Sequence, residues 1–253
     1  MSRQDVTIPM PQGEARAFVF TPNEGSGPWP AVLFFMDGPG IRPSLFEMGE
    51  RLAGHGYYVL LPDMFWRIGP YPPIVVAEAF ATPEKRAEFF KTRMSSTDAE
   101  RSMADTGVFL DWLSHQPKAR AEKVAAIGYC MGAGMAFRAS GTYPDRIAAV
   151  GGFHGAHLAT DAPDSPHLLA PKIKAKVLLA CADKDEYLDD AQCARLDKAL
   201  KDAGVDAEVT IYRGALHGYA PSDMPAYDRD ASERHWRELL ALLQATLKQP
   251  QPA

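Results

Sequence analysis

The sequence predicts an α/β fold, a mainly parallel sheet flanked by helices on both faces. Three observations predict it. Short apolar runs bounded by turn residues alternate with longer segments of helical period. The run Ala31–Phe35 is apolar throughout, as a strand covered on both faces should be. The links between successive elements are short, which favours neighbouring strands joined by crossover helices. The chain has 253 residues, a length that one α/β unit commonly reaches. Neither an internal repeat nor a linker-like boundary divides it, so we expect a single domain over residues 1–253.

Taken in order, Glu14–Phe20 alternates like a strand beside the earlier Val6–Ile8. After the strand Ala31–Phe35, Ser44–Ala53 carries Leu45, Met48 and Leu52 on one helical face and stops at Gly54. Tyr57–Leu61 is a strand ended by Pro62. Thr97, with Glu100 three residues on, forms a capping box that opens a helix lasting until Pro117. Val124–Ile127 is a strand, and Met131–Ser140 is a helix rich in small residues. Strands follow at Ile147–Phe153, Lys176–Ala180 and Glu208–Tyr212, with a helix at Ala191–Ala203 and a closing helix at Arg229–Leu247.

Residues 63–97 resist this scheme. They hold Pro70, Pro72, Pro73 and Pro83, the aromatics Phe65, Trp66, Tyr71 and Phe80, and a helical patch at Glu84–Arg93. So long a Pro-broken insertion is either a lid lining a pocket or a packed surface excursion.

Composition excludes several functions. Lys and Arg number 27 against 32 Asp and Glu, a net charge of −5, and the densest basic stretch, Lys118 to Lys123, also contains an acid. Nucleic-acid binding is therefore not expected. The longest apolar run, Ala31 to Met36, is far shorter than the ~20 residues of a membrane span, and the N-terminus lacks an apolar signal core. We expect a soluble protein without a membrane partner. Cys130, Cys181 and Cys193 are an odd set without a C-x-x-C or paired-histidine spacing, which fits a reducing, cytoplasmic setting and argues against a metal site. Read singly, each is a small buried hydrophobe.

One cysteine has more context. Gly128-Tyr129-Cys130-Met131-Gly132 follows a strand and opens a helix, the G-x-nucleophile-x-G turn with cysteine in the usual serine position. A chain passing from strand to helix in so tight a turn needs flanking residues without side chains. The turn lifts Cys130 to a helix N-terminus, where the dipole favours thiolate over a thiol of ordinary pKa about 8.5. The same turn aims the Met131 N–H at a developing oxyanion. Small residues at such a junction also occur for packing alone.

A nucleophile of this kind needs a base, and the base an orienting carboxylate, in the chain order nucleophile, acid, histidine. His217 lies just after the strand Glu208–Tyr212, at the carboxyl edge of the sheet where α/β sites form. His55, His115 and His235 lie in or beside helices and His167 in a Pro-rich loop, positions that suit packing or surface roles. Asp183 and Asp185 both follow the strand Lys176–Ala180. Asp185 lies further into the loop and is the better partner, while Asp189 or Asp190 caps the next helix. The loop Met36-Asp37-Gly38-Pro39-Gly40 should supply the second oxyanion donor. Asp37 there takes the thiol proton, holds the resting thiol, or makes an Asx turn before Pro39.

These residues together resemble the dienelactone hydrolase family, the cysteine branch of the α/β-hydrolases. The resemblance spans roughly Val6 to Leu247 and is most specific at Ile127–Ala133, Ala182–Asp185 and Ala215–Tyr219. It implies Cys130 as nucleophile, His217 as base and Asp185 as acid, with Met131 and the Asp37–Gly38 loop as oxyanion donors. It implies no cofactor. Family members carry a glutamate where Asp37 stands, one methylene longer. Where the best-known members place a substrate-gripping arginine four residues after the histidine, this chain has Pro221, which leaves Arg86 or Arg93 as replacements. His154 ends a strand and either lines the pocket or has no chemical duty. With Asp37, Arg86, Trp66 and Tyr219 it completes the expected substrate contacts.

The function expected from these residues is hydrolysis of a small, mostly apolar ester or lactone through a cysteine thioester. The enzyme would act as a monomer or small homo-oligomer. Acyl transfer or thioester cleavage by the same three residues, and a non-catalytic binding protein of this fold, are the alternatives.

Overall fold

The computed structural model describes residues 2–248; Met1 and residues 249–253 of the expected 1–253 unit lie outside the described residues. Strands β1 (Ser2–Met10) and β2 (Gly13–Thr21) form a hairpin with Ile8 opposite Ala15. Burial alternates at Ile8 and Met10 of β1 and at Ala15 and Ala17 of β2, the period-two pattern of one covered face, and becomes continuous over Ala17–Phe20 beside β4. They are followed by β3 (Trp29–Phe35), α1 (Pro43–Gly54) and β4 (Tyr58–Pro62). The 63–97 segment contains a short helix α2 (Val76–Ala79) and α3 (Pro83–Met94). Then come α4 (Ala99–Ser114), β5 (Ala119–Tyr129), α5 (Met131–Thr142), β6 (Ile147–Phe153), β7 (Lys176–Ala182), α6 (Asp190–Asp202), β8 (Ala207–Tyr212) and α7 (Arg229–Leu247).

The strands lie in the order β1-β2-β4-β3-β5-β6-β7-β8. Pairing is antiparallel for β1 with β2 and for β2 with β4, and parallel from β4 to β8. The carboxyl ends of β3, β5, β6, β7 and β8 therefore share one edge, and the loops leaving them converge there. Helices α4 and α5 pack together on one face, with α5 against β3, β5 and β6. On the other face α7 lies on β5, β6 and β7, and Arg51 of α1 reaches Glu233 of α7 at 2.7 Å. None of the described helices is long and apolar enough to cross a membrane.

Two local expectations need correction. Asp98, not Thr97, caps α4: its carboxylate accepts from the Arg101 N–H at 2.8 Å, while the Thr97 hydroxyl is buried without a partner. An ionised acceptor one residue later satisfies the orphan helix N–H better than the hydroxyl would. β5 also begins five residues before Val124. Its first residues alternate Ala with Arg, Glu and Lys and are only partly covered, so no apolar run marks them, but they extend the ladder through Trp29 and Ala119.

Candidate active site

The turn from β5 into α5 is built around two glycines. Cys130 has φ 53 and ψ −117, a conformation that L residues rarely adopt. A Cβ on Gly128 would lie 2.1 Å from the Gly132 carbonyl oxygen, and one on Gly132 would lie 2.5 Å from the carbonyl oxygens of Phe35 and Met36. Neither clash involves a movable side-chain end. Gly128→Ala is therefore expected to cost about 3 kcal/mol or more. Thermal unfolding would register that as a fall in Tm of about 6–12 °C for a chain of this size; an unchanged Tm would show that the turn tolerates a side chain.

The Cys130 N–H donates to the Phe153 carbonyl at 3.0 Å, which fixes the turn to the end of β6 and uses up that N–H. Met131 is the first residue of α5, so its N–H has no acceptor within the helix. Among the described residues the Gly38 N–H donates to no backbone carbonyl. Cys130, Met131 and Gly38 all line one cavity of about 610 Å³ at the carboxyl edge of the sheet.

Asp185 and His217 meet beside it. The His217 Nδ1 and Asp185 Oδ2 are 2.7 Å apart, and the other carboxylate oxygen accepts the Tyr187 N–H at 2.9 Å. Asp185 is buried, and the His217 ring packs against Tyr187 with centroids 4.8 Å apart. Asp183, its rival in the sequence, turns away to accept from the Gly214 N–H at 2.9 Å and from Arg213 at 2.8 Å, which supports the turn after β8. Burial works to lower the proton affinity of His217, but Asp185 and then Cys130 outweigh it and push the imidazole up to about 10. The His217 Nε2 is enclosed and makes no hydrogen bond, and Cys130 lines the same cavity as the ring. Cys130, His217 and Asp185, from the ends of β5, β8 and β7, thus line one cavity, with the imidazole and the carboxylate in contact.

The other expected contacts divide. Asp37, Arg86 and His154 line the cavity; Trp66 and Tyr219 do not. Trp66 is buried on the far side of its loop, its indole N–H donating to Asp105 at 3.0 Å. Tyr219 is buried behind His154, its hydroxyl donating to the Ala180 carbonyl at 3.2 Å. His154 has φ 37 and both ring nitrogens unpartnered, its edge lies against His217 with centroids 5.2 Å apart, and burial holds it neutral, well below the usual histidine range. Arg86 lies near the rings of Tyr187, Phe80 and Phe90 at 5.4–5.9 Å, with the exposed Glu186 3.7 Å away. Arg93 is buried against Tyr71, 3.6 Å from its ring centroid, and does not line the cavity. Phe80, Phe90, Met94, Leu216 and Met224 make the walls largely apolar.

Asp37 differs from all three sequence expectations. Both of its oxygens are taken by Arg42, at 2.5 and 2.9 Å, in a bidentate pair that is buried throughout. Arg42 was not foreseen as a site residue. Its only signal is its position before Pro43 at a helix start, which does not distinguish a buried arginine from an exposed one.

The model of the dienelactone hydrolase family matches residues 15–247. A Yersinia pestis protein named "Putative carboxymethylenebutenolidase" is 23% identical over 239 residues, covering 93% of this chain and 85% of its own. A Bradyrhizobium protein named "Probable 2-oxo-3-(5-oxofuran-2-ylidene)propanoate lactonase" is 25% identical over 240 residues, covering 91% and 90%. Among solved structures, one described as a "Putative Dienelactone Hydrolase" from Klebsiella pneumoniae superposes with a TM-score of 0.83 at 21% identity, over 95% of this chain and 97% of that one. The sheet order, the flanking helices and this likeness make the architecture that of the α/β-hydrolases. Since the family's model spans the strands that carry Cys130, Asp185 and His217, the chain belongs to the dienelactone hydrolase family.

Proposed function

We propose that the protein hydrolyses a small ester or lactone through a thioester on Cys130, with His217 as general base and acid and Asp185 as its orienting carboxylate. The observation that carries the reading is the 2.7 Å contact between Asp185 and the His217 Nδ1, which leaves Nε2 enclosed and unpartnered on the side of Cys130. The Cys130 thiolate attacks the carbonyl carbon, and the electron pair of the C=O bond moves to oxygen. The Met131 and Gly38 N–H groups stabilise that oxyanion. Its collapse breaks the C–O bond, and the leaving oxygen takes the proton from His217 Nε2. Water then attacks the thioester while giving a proton to Nε2, and collapse expels the thiolate and frees the acid. Every proton is handled by His217, so the cycle needs no further cofactor.

The cavity and the relatives narrow the substrate class. About 610 Å³ with aromatic and methionine walls suits an apolar acyl or alcohol part of modest size. Two relatives carry the names of enzymes acting on a butenolide and on an oxofuran lactone, which supports a lactone or ester. Arg86 lines the cavity and has a 3.7 Å contact to the exposed Glu186, which supports it as the partner of a substrate carboxylate. The test is intact-mass analysis after rapid acid quench of a small activated ester with the wild type. A gain equal to the acyl group, mapped to the peptide containing Cys130, is expected. Turnover with no such adduct and with label on another residue would refute the thioester route.

A further inference from the structure

The guanidinium of Arg42 is fully buried and every one of its N–H groups is used. Nη1 donates to Asp37 Oδ1 at 2.5 Å and to the Gly40 carbonyl at 3.1 Å. Nη2 donates to Asp37 Oδ2 at 2.9 Å and to Asp223 Oδ1 at 3.1 Å, and Nε donates to Asp223 Oδ2 at 2.6 Å. Only a planar guanidinium can serve two carboxylates and a carbonyl in this way; a lysine ammonium has three donors and no fork. The backbone of Arg42 is itself fixed, since it sits at the N-cap of α1 with Pro43 at the first helical position.

What Arg42 joins matters more than how strongly. Asp37 and Gly40 belong to the loop after β3, which carries Gly38. Asp223 belongs to the loop after β8, which carries His217, and lies 181 residues away in sequence. Both loops line the cavity, the first through Gly38 and Pro39 and the second through Met224, Pro225 and Ala226.

We infer that Arg42 is a positioning residue that sets the Gly38 oxyanion donor at its working distance from the His217 side of the cavity, by clamping Asp37 of one loop to Asp223 of the other. The inference rests on the hydrolase reading above. It also gives Asp37 a different task from the one its place in the sequence suggests. The carboxylate is a strut engaged by arginine and not a group held against the resting thiol. The nucleophile then depends on His217 alone for its proton traffic, and an uncharged ester should be accepted without a carboxylate to displace Asp37.

The experiment uses Asp223→Ala and Arg42→Lys with p-nitrophenyl butyrate, at a temperature well below the Tm of each variant. Asp223 has a side chain 35% exposed, and removing it leaves the Arg42–Asp37 pair intact, so its removal should disturb the fold less than Arg42→Lys. The expected result for Asp223→Ala is a fall of about 10-fold in kcat with KM within about twofold, because the misplaced group acts only in the transition state. Arg42→Lys, if folded, should lose about 10²-fold. Alkylation of Cys130 by iodoacetamide, which needs no oxyanion donor, should keep its wild-type rate in both. If wild type turns over the ester and Asp223→Ala matches its kcat while only its Tm falls, the clamp is structural and the inference fails alone. If alkylation slows in step with kcat, the clamp acts on the thiol and this inference is again wrong. A wild type that turns over no ester, tested also with lactones, takes down the hydrolase reading and this inference together.

Discussion

Asp185→Asn should lower ester turnover by about 10⁴-fold with little change in KM. The carboxylate and His217 Nδ1 lie 2.7 Å apart, and only a proton acceptor there keeps the Nδ1–H tautomer that leaves Nε2 free to receive the thiol proton. An asparagine amide can present its NH₂ instead, which stabilises the opposite tautomer. The geometry would survive, since the Tyr187 N–H can still bond the amide oxygen in place of Asp185 Oδ1. Steady-state kinetics with a chromogenic ester, alongside a Tm within a few degrees of wild type, measure this. A loss of less than tenfold would mean that His217 is oriented by something else.

The second large effect is expected from Cys130→Ala. Turnover should fall by about 10⁵- to 10⁶-fold, the scale seen when a nucleophile is removed from a set of residues that act as one. The same variant should change the titration of His217. Opposing burial, Asp185 and Cys130 together push that imidazole up to about 10. Without the sulfur, part of the support disappears, and the midpoint should move down towards the ordinary 6.5. NMR titration of ¹⁵N-labelled histidine reads both midpoints; identical curves would show that sulfur and ring do not interact. The sign for stability follows from the same shift. A histidine with raised folded-state proton affinity contributes its full stabilisation below about pH 6.5 and loses it as pH rises through about 10. Urea midpoints should therefore decline over that window, and decline less in Cys130→Ala.

Much of this was legible in the sequence because strand ends and turn chemistry leave marks. Ile147–Phe153 and Arg229–Leu247 have in the structure the limits their apolar periodicity gives. Gly128 and Gly132 announce the turn because nothing larger fits there. Asp185 lies deeper in its loop than Asp183 and meets His217, while Asp183 holds the neighbouring turn. What stayed hidden depends on three-dimensional packing. Trp66 and Tyr219 read as pocket aromatics, yet each turns its polar atom to a buried acceptor, Asp105 or the Ala180 carbonyl, where an unpaired N–H or O–H would be costly. Arg42 finds its second partner 181 residues away, and no local pattern encodes such a meeting. His235, for which the sequence left surface and packing roles open, is fully buried, 3.1 Å from the Tyr129 hydroxyl.

The wall formed by residues 63–97 contributes Phe80, Arg86, Phe90 and Met94 to the cavity, while Cys130, Asp185 and His217 all hang from sheet strands elsewhere. A Cβ on Gly38, in the loop after β3, would lie 2.7 Å from the Phe90 ring of this segment. Substitutions in this stretch would therefore reshape part of the cavity without touching the strands that carry those three side chains, and a side chain at position 38 would press on the Phe90 ring.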